Sequence, residues 1–176
     1  MKAVFGWVDL FLQSTDRKLI LGAIHRLSSP HTIELLMKRY HKCAVTIHGG
    51  CSQKEKDKAK SLFQDDPNTR IMVLQVQSGG VGLNLQGEKR TVAMVELPWT
   101  AASVRQFIDR AHRIGTKDYV DVYYLLARNT IETKLCRLLQ HKEELGNLVI
   151  DGVDRTADSL SIFDRLQKIL LKEKKK

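Results

Sequence analysis

Apolar positions fall into two rhythms that take turns along the chain. Short continuous apolar runs, rich in β-branched residues, occupy residues 18–23, 44–48, 71–76, 91–97 and 120–126, and each predicts a buried strand. Between them the apolar residues recur at helical spacing. A helix is predicted over 30–40, with Ser29 as N-cap and Pro30 at its first position. Ser52-Gln53-Lys54-Glu55 is a capping-box sequence that opens a second helix, reaching to about Gln64, before a turn at 65–68. Further helices are predicted over 100–113 and 130–145. The first thirteen residues read as an amphipathic entry helix. Asp9 interrupts their apolar run, and no small-residue cleavage site precedes Asp16-Arg17-Lys18.

Regular alternation of strand and helix implies βαβ crossovers, hence an α/β fold with three layers and a central parallel sheet covered on both faces. In such sheets ligands sit beyond the carboxyl ends of the strands, so the loops after His48, Val76 and Leu97 are the places to search. From Asn147 the pattern changes to an extended connection and one more amphipathic helix over 159–171, whose apolar face is Ile162, Phe163, Leu166, Ile169 and Leu170. The expected organisation is a lobe over 1–150 and a basic helical tail over 151–176.

Charge narrows the partners. The 29 Lys and Arg exceed the 20 Asp and Glu, for a net charge of +9 and a pI near 9.6, which favours an acidic partner such as nucleic acid. A hydrophobic content of 43% excludes a disordered chain. No apolar run approaches the roughly 20 residues that cross a bilayer. Three scattered cysteines make no disulfide framework and point to a reducing, intracellular setting.

The loop Ser78-Gly79-Gly80-Val81-Gly82-Leu83-Asn84 follows a buried strand. Its glycines let backbone approach a phosphate or a neighbouring loop, and they equally suit a purely structural turn. The chain has no G-x-x-x-x-G-K-[ST] sequence and no acidic pair after a strand to hold magnesium. In the helix over 100–113, Gln106, Arg110 and Arg113 are spaced to share one face, while Phe107, Ala111 and Ile114 share the neighbouring one. Two guanidinium groups aimed together suit phosphate oxygens. A solvated basic face, or an Asp109–Arg113 ion pair, is the plainer reading.

Other residues have competing roles. His41, Cys43, His48 and Cys51 are zinc-ligand types, but they run through a strand whose alternate side chains face opposite ways, against a tetrahedral site. His112 suits a structural or interfacial hydrogen bond. Trp99 suits either base stacking or packing at the start of the following helix. The lysines over 54–60 form either a solvated face or a phosphate-binding one, and the terminal lysines 172 and 174–176 read as a frayed helix end, with non-specific phosphate affinity as the alternative.

Gln106-Phe107-Ile108-Asp109-Arg110-Ala111-His112-Arg113-Ile114-Gly115 resembles motif VI of the switch/sucrose-nonfermenting chromatin-remodelling ATPases of superfamily 2. Ser78 to Leu85 resembles their motif V. Val95-Glu96-Leu97-Pro98-Trp99 resembles the strand end before motif VI, and Ile47-His48-Gly49-Gly50 with Ser52 resembles the strand and turn beside motif IV. These lie in family order over about residues 17–150. Asp151-Gly152 with Ser161-Ile162-Phe163-Asp164 is similar to the annealing-helicase branch and its bacterial or phage relatives. Three departures are Thr116 in place of Gln, Gln75-Val76 in place of Ser-Thr, and a loose His25-Arg26-Leu27-Ser28-Ser29.

The resemblance implies a second RecA-like lobe. Arg110 and Arg113 would be arginine fingers, while Gln106, Gly80, Gly82 and Asn84 would bind or couple nucleotide. His48, Gly49, Lys54, Lys56, Gln77 and Ser78 would contact DNA. The implied cofactor is ATP with magnesium, held mainly by a first lobe in cis or in trans. The implied partner is double-stranded or branched DNA rather than a membrane, in the nucleus of a eukaryote or the cytoplasm of a bacterium or phage host. A stand-alone module that binds DNA or a partner, without turnover, is the alternative.

Overall fold

The computed structural model describes residues 1–24, 32–77, 83–112 and 119–150, with side chains to residue 141. Helix α1 (Lys2–Ser14) leads into β1 (Lys18–Ala23). Then come α2 (Thr32–Tyr40), β2 (Ala44–Ile47), α3 (Gln53–Asp65), β3 (Ile71–Gln75), β4 (Arg90–Met94), α4 (Ala101–Ile108), β5 (Asp121–Tyr124) and α5 (Ile131–Ile150). The five strands form one parallel sheet in the order β2-β3-β1-β4-β5, as the alternation of strand and helix predicts. Leu21 of the central strand lies between Val73 and Ala93.

Side chains alternate across the strands, so two cores form. Leu19, Leu21, Ile71, Val73 and Ala93 pack against α1 and α2 through Val8, Ile33, Leu36 and Tyr40. Ile20, Met72, Leu74, Val92 and Met94 pack against α3, α4 and α5 through Phe63, Val104, Phe107, Leu135 and Leu139. Gly22 allows this second packing. A Cβ there would lie 2.9 Å from both Met94 Sδ and Phe107 Cζ, so the Phe107 ring rests on bare backbone.

The amino ends of the strands are tied down by cations bonded to carbonyls. Arg70 donates from Nη1 to Leu12 O (2.8 Å) and from Nη2 to the carbonyls of Thr15 and Arg17, gathering the end of α1 and the turn after it. Lys18 Nζ donates to the carbonyls of Phe63 (2.5 Å) and Asp66 (2.8 Å), where α3 ends. Arg17 donates to Arg90 O (2.6 Å) and Tyr119 O (2.7 Å). Arg90 is buried over the Phe63 ring, 4.8 Å from its centroid, and donates to Leu85 O.

Two predicted segments end differently. The helix expected over 100–113 stops as an α-helix at Ile108 and tightens into turns, with Arg110 N–H on Phe107 O and Ala111 N–H on Ile108 O. The Arg110 carbonyl, which a continuing helix would use itself, accepts Leu85 N–H at 2.9 Å. At the other end of the chain, residues 147–150 are helical rather than extended. A lone Gly146 costs about 1 kcal/mol within a helix, too little to stop this one. The predicted Ser29-Pro30 helix start and the 159–171 helix lie outside the described residues. Among the described residues no helix is long and apolar enough to cross a membrane.

Candidate functional site

The carboxyl ends of β1 to β4 meet along one edge, and most of the described candidate residues stand near it. After β2 the chain turns at once: His48 Nδ1 accepts Gly50 N–H (3.1 Å), and Cys51 N–H returns to His48 O (3.0 Å). Gly49 N–H is held by Gln75 Oε1 (3.1 Å), reaching across from the end of β3. Ser52 then caps α3 with the capping box that its sequence predicts. Ser52 Oγ accepts Glu55 N–H, and the Glu55 carboxylate accepts Ser52 N–H (2.7 Å) and its hydroxyl (2.8 Å). Those donors, the backbone N–H first, hold the Glu55 carboxyl below its ordinary pKa. Lys54 is exposed on the first turn of this helix, Lys56 is half-buried, and Gln77 is exposed just past β3.

The glycine loop after β3 rejoins the described chain at Leu83. Asn84 Oδ1 accepts Gln86 N–H (3.1 Å), making an Asx turn, so its side chain shapes the loop. Leu85, fully buried, then donates its N–H to the Arg110 carbonyl. The segment after the motif V glycines is thereby joined to the end of α4. The other joined pair, Gly49 and Gln75, links the β2 turn to the end of β3.

Arg110 is 7% exposed and lies over the Phe107 ring, 5.8 Å from its centroid. Burial pushes its pKa down from the ordinary value, although a guanidinium keeps its charge. Gln106 is exposed, so it and Arg110 do not form the common face that an unbroken helix predicts; the turn after Ile108 carries Arg110 inward. Thr100 caps α4 by accepting Ser103 N–H (3.2 Å), and Trp99 before it is 51% exposed. Ser78, Gly80, Gly82 and Arg113 lie outside the described residues. So do Ile114 and Thr116.

Two residues at this edge escaped sequence reasoning as structural ties. Gln75 bonds both Gly49 and Ile24, and Glu96 accepts from Ile24 N–H and the Thr32 hydroxyl. Their signal was available: each is a lone polar residue at the carboxyl end of an otherwise buried apolar run. The His41, Cys43, His48, Cys51 pattern flanks β2, two of its residues before the strand and two after it, with His41 Nδ1 beside Lys38 O and His48 Nδ1 engaged by Gly50. Among the described residues no group of three or more His, Cys, Asp or Glu is placed to hold a metal.

Residues 8–115 match the family described as Helicase conserved C-terminal domain. The human DNA annealing helicase and endonuclease ZRANB3 is 29% identical over 150 residues, 85% of this chain and 14% of that protein. Human TATA-binding protein-associated factor 172 is 34% identical over 136 residues, 77% of this chain and 7% of that protein. The ATP-dependent helicase rhp16 of Schizosaccharomyces pombe is 33% identical over 156 residues, 87% and 18% respectively. The chain therefore spans less than a fifth of these relatives. The crystal structure of the C-terminal part of the Fun30 ATPase domain shares the fold, with a TM-score of 0.71 at 20% identity, covering 99% of this chain and 53% of that one. The Sulfolobus solfataricus SWI2/SNF2 ATPase core in complex with double-stranded DNA aligns with a TM-score of 0.60 at 25% identity, covering 81% and 29%. With a matching parallel sheet and its motifs in order, this chain belongs to the helicase conserved C-terminal domain family and has the fold of the second RecA-like lobe of the switch/sucrose-nonfermenting ATPases.

Proposed function

We propose that this chain is the DNA-tracking, charge-stabilising half of a double-stranded DNA translocase, of remodelling or annealing-helicase type, and that it hydrolyses ATP only with a first lobe in cis or in trans. The observation that carries the reading is the Leu85–Arg110 bond, which ties the segment after the glycine loop to the base of motif VI. Residues 1–150 are the lobe in this reading and 151–176 a basic extension.

The chain's own residues fit part of the nucleotide. Without a G-x-x-x-x-G-K-[ST] loop it lacks the cradle for β- and γ-phosphates, and with it the usual magnesium ligands. Arg110 fits the remaining role. Its guanidinium is already withdrawn from water against Phe107, and a preorganised cation acts more strongly on developing negative charge in a low dielectric. Arg113, three residues on, is the second finger. ATP, held with magnesium by the first lobe, supplies the phosphoryl group that is transferred to water. Gln106, exposed on α4, and Gly80, Gly82 and Asn84 couple that site to lobe closure. His48, Gly49, Lys54, Lys56, Gln77 and Ser78 meet the DNA backbone, which carries no base-specific information.

The test is ATP hydrolysis with duplex DNA after mixing this chain with a purified first lobe of a relative. Activity is expected only in the mixture, with Arg110→Ala and Arg113→Ala each lowering it by about 10³-fold or more. Robust hydrolysis by the chain alone, or full activity in Arg110→Ala, overturns the division of labour. The exposure of Lys54 beside the Gly49 turn favours a second reading, a binding module without turnover. Salt-sensitive duplex binding by the lone chain, lost in Lys54→Ala with Lys56→Ala and never accompanied by hydrolysis in the mixture, is its expected result.

A further inference from the structure

The backbone ladder of the central strand stops where its neighbours diverge. Its last rungs are Val95 N–H on Gly22 O (2.9 Å) and Val76 N–H on Ala23 O (2.8 Å). Ile24, the next residue, lies past the last paired positions with β3 and β4. Two side chains supply what the strands no longer do. From the β4 side, Glu96 Oε2 accepts Ile24 N–H at 2.6 Å. From the β3 side, Gln75 Nε2 donates to Ile24 O at 3.3 Å. Each side chain then uses its other atom on a second segment: Gln75 Oε1 takes Gly49 N–H in the β2 turn, and Glu96 Oε1 takes the Thr32 hydroxyl at the start of α2.

The residue types match the demand. A carboxamide has a donor end and an acceptor end, like a peptide unit, so it adds one more rung across β2-β3-β1. A carboxylate only accepts, and Glu96 faces two donors. Because both side chains meet at Ile24, they join the ends of four strands and the start of α2 into one unit, at the edge where the candidate DNA and nucleotide loops begin.

We propose that Gln75 and Glu96 are positioning residues: a side-chain clasp that fixes the β2 turn and the ends of β1 and α2 against the loops after β3 and β4, so that duplex DNA bound at the first is felt at the second. The proposal rests on the motor reading above and names a coupling device within it.

Two measurements test it. In the mixed motor, Gln75→Glu keeps the shape but replaces the donor with a charge against a carbonyl, and Glu96→Gln turns an amide donor toward a donor. Each is expected to raise the duplex concentration for half-maximal stimulation roughly tenfold, the value of one such hydrogen bond, with unstimulated hydrolysis within about twofold. Thr32→Val should resemble Glu96→Gln, and Thr32→Ser should restore the wild-type value. Stimulation unchanged in Gln75→Glu and Glu96→Gln, in a motor whose wild type is active, overturns the positioning role even if both variants melt earlier. The second measurement needs no partner: amide exchange of the full chain should quicken at Ile24 in both variants and at Gly49 in Gln75→Glu, with Leu21 unchanged. If the wild-type mixture is inactive, the motor reading fails, and the exchange at Ile24 and Gly49 alone decides whether the clasp exists; unaltered exchange at both overturns it.

Discussion

The amino and carboxyl edges of this one sheet are held by different chemistry. At the amino edge Arg17, Lys18, Arg70 and Arg90 direct their positive charge onto backbone carbonyls, fastening the ends of α1 and α3, the start of β4 and the approach to β5. At the carboxyl edge the ties are made by an amide and a carboxylate, Gln75 and Glu96, and cations such as Lys54 are left to solvent. A parallel sheet leaves loops of unequal work at its two ends, and here the chemistry divides as well: cations on backbone carbonyls at the amino edge, and short polar side-chain bridges at the carboxyl edge, where the proposed function places the DNA-contacting loops. The net charge of +9 therefore overstates the charge offered to an acidic partner, because part of it is turned inward.

The hardest strain on this comparison is Arg70→Met. It removes every donor that Arg70 directs to carbonyls at the end of α1, and unfolding free energy should fall by about 3 kcal/mol. Duplex affinity of the folded protein should stay within about twofold, since an amino-edge cation makes no phosphate contact in this scheme. Urea unfolding and a duplex titration read the two quantities separately. A fall in affinity at full folding would place the DNA face at the wrong edge.

Next comes Gly22→Ala, near the middle of the opposition. The new Cβ meets Met94 Sδ and the Phe107 ring, so stability should drop by about 2 kcal/mol as the ring shifts to make room. Phe107 also underlies Arg110, so arginine-dependent hydrolysis in the mixed motor should fall by more than lost stability explains. Unchanged turnover per folded molecule would separate α4's seat on the sheet from the role proposed for Arg110.

What the sequence revealed divides along the same line. Runs such as Ile71 to Leu74 and the Ser52–Glu55 box are local patterns, and the strands and the α3 cap appear where those patterns put them. The family motifs were equally legible, because residue order carries them. The ties were not. Lys18 reads as the polar first residue of a strand, and only the fold brings Phe63 and Asp66 to it from more than forty residues away. Arg90 stands just before the apolar run predicted over 91–97, and nothing local to it shows that it is buried on Phe63. Arg110 is buried after the helix ends, and its carbonyl accepts from Leu85, a contact that helical periodicity cannot register.

Helix α3 spans both edges, so its two ends can be set against each other. Ser52→Ala removes the cap at the carboxyl edge and should cost about 1 kcal/mol in urea unfolding. Lys18→Met, at the amino-edge end, should cost at least as much, because it releases carbonyls of the last turn and the residue after it. A larger loss in Ser52→Ala would mean that the exposed box, and not the long-range lysine, secures this helix.

Mild acid offers the smallest and most selective perturbation. The Glu55 carboxyl is held below its ordinary pKa by the Ser52 N–H and hydroxyl, so its contribution is complete above the unfolded value of about 4.3 and is lost as pH falls through the lower folded value. Asp66 at the other end has the same sign, held down by the Thr69 hydroxyl and Asn68 N–H. Protonating Asp66 leaves Lys18 on its carbonyls, which do not titrate in this range, whereas protonating Glu55 weakens the acceptor that the capping box gives the Ser52 N–H. Between pH 5 and 3 the amides of the first turn of α3 should therefore lose exchange protection before those of the last turn. Glu55→Gln, which keeps an acceptor but not the ionisation, should remove that order while Asp66→Asn leaves it. Loss beginning at the last turn would show that acid loosens the amino edge first, and that its fastening depends on Asp66 more than on Lys18.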